Sequence, residues 1–205
     1  MRIPLNVKFE EKVEAKNNGV KWDKKNKIWY LWDYKYLSSV NKWLNPDFNI
    51  YITENIYLVS GCINCWKCNK TTKVHSIGAD KFVYFDEQWK YYSVFYLIKA
   101  IELYSNNLSE VLELTEDKFT LLFSNASKTK YLTNTCEHCN NKQGNSFLYN
   151  EEGAIFSPLS RKQVENMIIE DIPLDLDIGL KGRLYSSYGS GTNSNVILWN
   201  GSEHQ

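Results

Sequence analysis

The sequence predicts an α+β fold in two unequal parts: a small strand–helix–hairpin module, then a larger domain organised by two cysteine turns. Three observations point there. Residues 1–45 place apolar residues at strand and helix spacings between turn signals. Two Cys-x-x-Cys pairs, Cys65/Cys68 and Cys136/Cys139, stand 67 residues apart. Between and beyond them, strand-like apolar runs outnumber helix-like ones.

The first module reads as follows. Pro4–Phe9 alternates apolar and polar residues, as a strand does. Glu10–Lys16 is rich in helix formers and opens on acidic residues, which suit the positive end of the helix dipole. Asn17-Asn18-Gly19 is its stop, with Gly19 able to adopt the left-handed cap conformation. Val20–Trp22, a polar turn over Asp23–Lys27, and Ile28–Leu31 form a hairpin. Leu37, Val40, Trp43 and Leu44 recur at helical spacing, so a helix is expected over 37–44, ending before Pro46. Trp29 and Trp43 are expected to close the small core. The predicted domains are 1–47 and 53–205.

In the second part, strands are expected at 55–60, 73–77, 82–85, 91–98, 118–123 and 147–149. A helix at 108–114 is capped by Asn107 or Ser109. Ser160 followed by Gln163 has the capping-box pattern, so a helix is expected over 161–170. Leu174, Leu176 and Ile178 alternate with Asp175 and Asp177 as on a half-buried strand. Glycine, serine and tyrosine over 179–191 predict loops, and Val196–Trp199 a last strand.

The two cysteine pairs carry the clearest chemistry. A two-residue gap lets one tight turn aim two thiolates at one ion, and two such turns supply a tetrahedral site. Cys65, Cys68, Cys136 and Cys139 are therefore the expected ligands of one structural Zn²⁺, in a zinc-ribbon-like domain whose knuckles are split by a long insertion. Four sulfurs leave no position for water, so the site is structural and not catalytic. Cys62–Cys65 has the same spacing, but a strand entering at Ser60 suits the later turn better, and Cys62 is read as a free buried thiol. His138 lies inside a knuckle and cannot easily reach the same ion. His75 is read as packed or exposed on its strand, not as a base.

Composition bounds the function classes. The 205 residues carry a formal net charge of zero, but residues 1–45 hold ten basic and five acidic residues, a formal +5, leaving −5 for the rest. This asymmetry would steer an anionic partner to the first module, or draw the two parts together. No apolar run approaches the roughly 18–20 residues that span a bilayer, and no signal peptide is evident, so a cytoplasmic location is expected. In that compartment paired cysteines are ligands more often than disulfides. Catalytic signatures are weak. There is no glycine-rich phosphate loop. Asp175 and Asp177 could share a face as nuclease carboxylates, though a solvated strand face is the default. Ser127–Lys130 could hold an anion, though a lysine-rich loop is commoner. An enzyme is not favoured.

Two stretches resemble known segments. Ile3-Pro4-Leu5-Asn6-Val7, Glu11-Lys12, Glu14-Ala15-Lys16, Gly19-Val20-Lys21-Trp22-Asp23 and Lys27-Ile28-Trp29-Tyr30 resemble a small uncharacterised bacterial domain over about residues 2–45. That domain is often appended to plasmid-borne primases, conjugation proteins and other DNA-handling proteins. The resemblance implies nucleic-acid business by association. The candidate contacts are Lys21, Trp22, Lys24, Lys25, Lys27 and Trp29, rings stacking on bases and lysines meeting phosphates. Trp22 and Trp29 on facing strands have an alternative role as core. The segments around Cys65–Cys68, Ser127–Thr129, Asn134, Cys136–Cys139, Gln143-Gly144 and Phe147 look like companions of that domain, which supports the ligand choice and the exclusion of Cys62. The expected function is a zinc-stabilised nucleic-acid-binding accessory protein of phage- or plasmid-related context, with DNA the leading partner. The alternative is a protein-interaction adaptor in phage defence or counter-defence, and a nucleic-acid hydrolase is third.

Overall fold

A computed structural model describes residues 1–151 and 153–185. In the first module β1 (Ile3–Leu5) and β2 (Val20–Asp23) flank β3 (Ile28–Leu31) in an antiparallel sheet ordered β1-β3-β2. Helix α1 (Lys12–Asn17) connects the first two strands and buries Ala15. It ends at Gly19, whose φ of +79° is the left-handed turn that a glycine adopts without strain. The Tyr36 ring lies 2.7 Å from where a Cβ would stand at Gly19, so packing also demands glycine there.

The strand expected over 4–9 stops at Leu5. Phe9 instead opens a 3-10 turn, 74% exposed, with the Lys12 ammonium 3.8 Å above its ring. The helix expected over 37–44 is α2 (Leu37–Val40) followed by a 3-10 turn, Asn41–Trp43. Its tighter winding still turns Leu37, Val40 and Trp43 into one core with Ile3, Leu5, Val20 and Leu31. The Trp43 indole donates to Glu11 Oε2 at 3.0 Å, and Trp29 is half-buried against the cluster. The same cluster takes in Tyr51 and Val83 from the second part, so the small core is completed by the larger sheet.

The remaining strands are β4 (Ile50–Ile52), β5 (Asn55–Asn64), β6 (Thr71–Ala79), β7 (Phe82–Asp86), β8 (Gln88–Tyr92), β9 (Tyr96–Tyr104), β10 (Phe119–Ser124), β11 (Thr129–Thr135), β12 (Lys142–Gln143), β13 (Ile168–Pro173) and β14 (Ile178–Tyr185). Eight of them form one antiparallel sheet ordered β13-β5-β6-β9-β14-β4-β7-β8, and β10-β11-β12 form a small third sheet. The large sheet is buried on both faces. Ile56 and Leu58 of β5 point to one core with Ile77, Ile98, Phe119 and Leu132, while Tyr57 and Val59 point to the other with Val74, Leu97, Leu148 and Met167. The small sheet and α3 (Leu108–Glu113) cover the first face, and residues 148–167 cover the second. The insertion between the cysteine pairs thus supplies central strands of the molecule.

Several expectations are corrected. The single strand at 91–98 is two, β8 and β9, broken at 93–95, where Phe95 turns inward and its ring fills the space a Cβ would need at Gly78. Residues 147–149 form a π-helical turn, Ser146–Asn150. A strand would send adjacent Leu148 and Tyr149 to opposite faces; the turn aims both at one core. The helix expected over 161–170 is only α4 (Arg161–Val164), because Ile168 onward pairs with the open edge of β5. Gln163 nonetheless closes the predicted box, accepting the N–H groups of Leu159 and Ser160. Asn107 holds the cap position of α3, but its amide donates to Leu176 O instead. Residues 174–177 do not form a strand. The loops expected from 179 yield to β14 as far as Tyr185. Val196–Trp199 lies outside the described residues. Among the described residues, no helix is long and apolar enough to cross a membrane.

Candidate metal centre

Each cysteine pair sits in the turn between two antiparallel strands, and the two turns have the same backbone. In the first, between β5 and β6, Cys65 N–H donates to Lys70 O and Asn69 N–H to Cys65 O, both at 2.9 Å. In the second, between β11 and β12, Cys136 N–H donates to Asn141 O and Asn140 N–H to Cys136 O, again at 2.9 Å. Asn69 (φ +58°) and Asn140 (φ +56°) both take the left-handed conformation that asparagine tolerates. The second residue after each first cysteine, Lys67 or His138, donates its N–H to that cysteine's sulfur at 3.4 Å. Two identical turns therefore face each other.

The four Sγ atoms lie within 4.8 Å of one another. Cys65–Cys139 and Cys68–Cys136 are 3.7 Å apart. A tetrahedron with metal–sulfur bonds of about 2.3 Å has edges of about 3.8 Å, so the cluster has the dimensions of a four-thiolate site. Cys65 and Cys136 are buried and Cys68 and Cys139 half-buried. The cluster is able to hold a metal ion.

Outer donors tune it. Gln143, itself buried, donates to Cys65 Sγ, and the Asn141 amide to Cys139 Sγ, each at 3.4 Å. Such hydrogen bonds spread thiolate charge and fix its direction. Burial opposes ionisation of Cys65, yet N–H groups of Cys68 and Lys67, with the adjacent thiols, outweigh it and lower the pKa to about 6. Burial likewise opposes the lowering of Cys136, which the N–H groups of Cys139 and His138 overcome. At Cys68 the Lys70 N–H favours the thiolate, but burial and the three nearby sulfurs prevail and raise it to about 11. Charge repulsion among the sulfurs is what a cation would relieve.

The two knuckles are also tied to each other. His138 Nε2 donates to Thr71 O at 2.9 Å, which fixes its tautomer and keeps it off the cluster. Glu137 N–H donates to Thr72 Oγ1, and the Trp66 indole donates to Lys142 O at 2.8 Å. Deeper, Asn134 clamps β6 to β11: its Oδ1 accepts His75 N–H at 2.7 Å and its Nδ2 donates to His75 O at 2.8 Å. The His75 ring is buried against Ser60 Oγ. Burial, then the charge of Lys73, lowers its pKa to about 4. His75 is a neutral core histidine.

Cys62 corrects the expectation of a buried thiol. It is exposed on β5, opposite Lys73, and is not one of the clustered sulfurs. Asp175 and Asp177 share no strand face: Asp177 is buried and accepts Arg2 N–H at 2.6 Å, tying the chain's start to the turn before β14. Ser127 and Lys128 lie in the exposed turn before β11 and Thr129 and Lys130 open that strand, with Ser127 Oγ hydrogen-bonded to Thr129 Oγ1.

In the first module Trp22 and Trp29 lie opposite each other on β2 and β3, ring centroids 5.0 Å apart, with Trp22 42% exposed. Lys24, Lys25 and Lys27 are exposed on the connecting turn, shaped by Asp23 accepting the N–H groups of Lys25 and Asn26. Lys21 is on the opposite face of β2 from Trp22, its ammonium 4.0 Å over Trp32. The six candidate residues therefore divide between two faces and a turn. Sequence reasoning missed Gln143 and Asn141 as sulfur donors and Trp66 as a brace between knuckles. Their proximity in sequence to the cysteines was the available signal.

Residues 2–45 match the family model described as a domain of unknown function, DUF5710, and are similar to it over the small sheet and its two helices. No curated protein and no solved structure matches the chain.

Proposed function

We propose that this is a zinc-stabilised nucleic-acid-binding accessory protein, with Cys65, Cys68, Cys136 and Cys139 holding one structural Zn²⁺. Zinc suits four thiolates because it imposes neither redox chemistry nor a d-electron geometry. Its role is to join β5–β6 to β11–β12, since each pair of ligands comes from one hairpin. The chain works as two units, 1–47 and a second, expected from 53, whose sheet also takes in β4.

The observation that carries nucleic-acid binding is the hairpin tip of the first module. Lys24, Lys25 and Lys27 are exposed there beside Trp22 and Trp29 and make no ion pair among the described residues. Lysines meeting phosphates beside an exposed ring are the elements of a nucleic-acid contact. Association of similar domains with plasmid-borne DNA-handling proteins supports a DNA partner. The test is titration of labelled DNA and RNA at about 50 and 200 mM salt. Binding that weakens with salt and falls in a Lys24→Glu/Lys25→Glu/Lys27→Glu variant is expected. Absence of binding at the lower salt would sink the reading.

A second reading is a protein-interaction adaptor. It draws on a cleft of about 440 Å³ where the first module meets β7 and β8, lined by Tyr34, Leu37, Asn41, Phe85 and Trp89. Tyr34 and Phe85 are exposed at its mouth. A stable co-purifying protein lost on Phe85→Ala would favour this reading.

A further inference from the structure

We infer that the face formed by the two cysteine knuckles is a contact for single-stranded nucleic acid, with Trp66 as its base-stacking platform. The inference rests on the nucleic-acid reading above and adds a second surface to it. The folded chain gathers charge that the sequence disperses. The acidic balance outside residues 1–45 does not extend to the segments that build the knuckles. Residues 64–73 and 118–145, joined through the cluster, hold seven lysines against one glutamate. Four thiolates around one Zn²⁺ carry a formal −2, so the region stays positive with the ion bound. Lys67 and Lys70 are exposed on the first knuckle, Lys142 on β12, and Lys118 reaches the second knuckle at Asn140 Oδ1, 3.2 Å. None of them joins an ion pair among the described residues.

The aromatic component lies in the same place. Trp66 is 58% exposed although it sits between two ligands. Its indole is held by the bond to Lys142 O, and Lys142 Nζ in turn donates to Phe123 O, whose side chain is also exposed. A ring fixed by its N–H and open to solvent loses little entropy on stacking. Bases in a duplex are already stacked, so such a platform selects unpaired ones, with adjacent lysines taking the phosphates. A tetrahedral clamp directly beneath keeps platform and lysines in register.

The test uses the zinc-loaded full chain with labelled single strands of DNA and RNA of the same sequence, about 20 nucleotides long, and the matching duplex. Trp66→Ala should weaken single-strand binding about tenfold and leave duplex binding within about twofold, and Trp66→Phe should retain most of it. Lys67→Glu/Lys70→Glu should lower the slope of log affinity against log salt by at least about 1.4 for single strands. Metal content and circular dichroism establish that each variant is folded. Comparing the DNA and RNA strands identifies the source of the ligand. Equal losses on duplex and single strand would overturn the single-strand assignment. Unchanged binding in both knuckle variants, with loss in the Lys24/Lys25/Lys27 variant, would overturn the knuckle face and leave the nucleic-acid reading intact. No binding by the unaltered chain would remove both.

Discussion

The N-terminal module and the cysteine ribbon are both small three-stranded sheets, and they are held by opposite means. The module buries Trp43, Leu31, Val40 and Ile3 and completes its core with Tyr51 and Val83. Its carboxylates are largely paired: Arg2 pairs with Asp23, Lys35 with Asp33, and Lys42 with Glu11 and Glu14. The ribbon has only a two-residue third strand and is secured by polar clamps and four thiols. Its lysines are free of carboxylate partners among the described residues. Available charge therefore depends on which carboxylates fold beside the lysines, and a count along the sequence does not register that. In the first module Asp23, Asp33, Glu11 and Glu14 take basic partners while Lys24, Lys25 and Lys27 stay exposed at the hairpin tip, and in the ribbon no carboxylate competes for the lysines among the described residues.

The largest effect is expected at the metal. Cys136→Ser/Cys139→Ser should lose bound zinc and the ribbon's cooperative unfolding together, because four-thiolate zinc binding supplies on the order of 10 kcal/mol of folding energy. Zinc retained at one per chain with normal melting would refute the ligand set. Next in size, Trp43→Ala should cost about 3–5 kcal/mol in denaturant unfolding, from lost burial and the lost indole hydrogen bond to Glu11. Metal content should not change, which separates the two modes of stabilisation. Asn134→Ala leaves a buried N–H and C=O of His75 without partners and should cost about 2–3 kcal/mol. A cost under ~0.5 kcal/mol would show that the thiol cluster alone holds the ribbon to β6.

Stability against pH should report the buried histidine of β6. His75 has a folded pKa of about 4, below the usual 6.5, so between those values the unfolded chain binds more protons. Its neutral burial costs nothing above about pH 6.5, and stability falls as pH drops toward 4. The loss should be about 2 kcal/mol at pH 5, and a His75→Gln variant should lack that slope. The smallest effect is expected at Cys62. Cys62→Ser should change stability by less than about 0.5 kcal/mol and leave metal content untouched, being exposed on its strand.

Local physics was legible wherever one segment satisfied itself. The hairpin Val20–Leu31, the glycine stop at 19 and both cysteine turns follow from side chains within a few residues of each other. Reading failed where distant partners decided. Residues 165–170 have helical spacing, but the unpaired edge of β5 recruits Ile168 into a strand. Leu148 and Tyr149 look like strand residues, yet one core needs both, and only a helical turn presents adjacent side chains to it. Cys62 looks like a buried thiol because it adjoins a knuckle, but it lies past the run 56–61 of β5 that is covered on both faces and is exposed there.

The two-residue spacing in each cysteine pair, readable in the sequence, suits a tight turn that directs two sulfurs to one side. That the two turns meet, 3.7 Å from sulfur to sulfur across a 67-residue insertion, depends on long-range packing. That insertion supplies β6 and β9 inside the large sheet and β7 and β8 at one edge, and its packing brings β6 beside β11. Turn geometry is set by backbone torsions and nearby hydrogen bonds, whereas the meeting of two turns is set by burial of β-sheet faces that no local window contains.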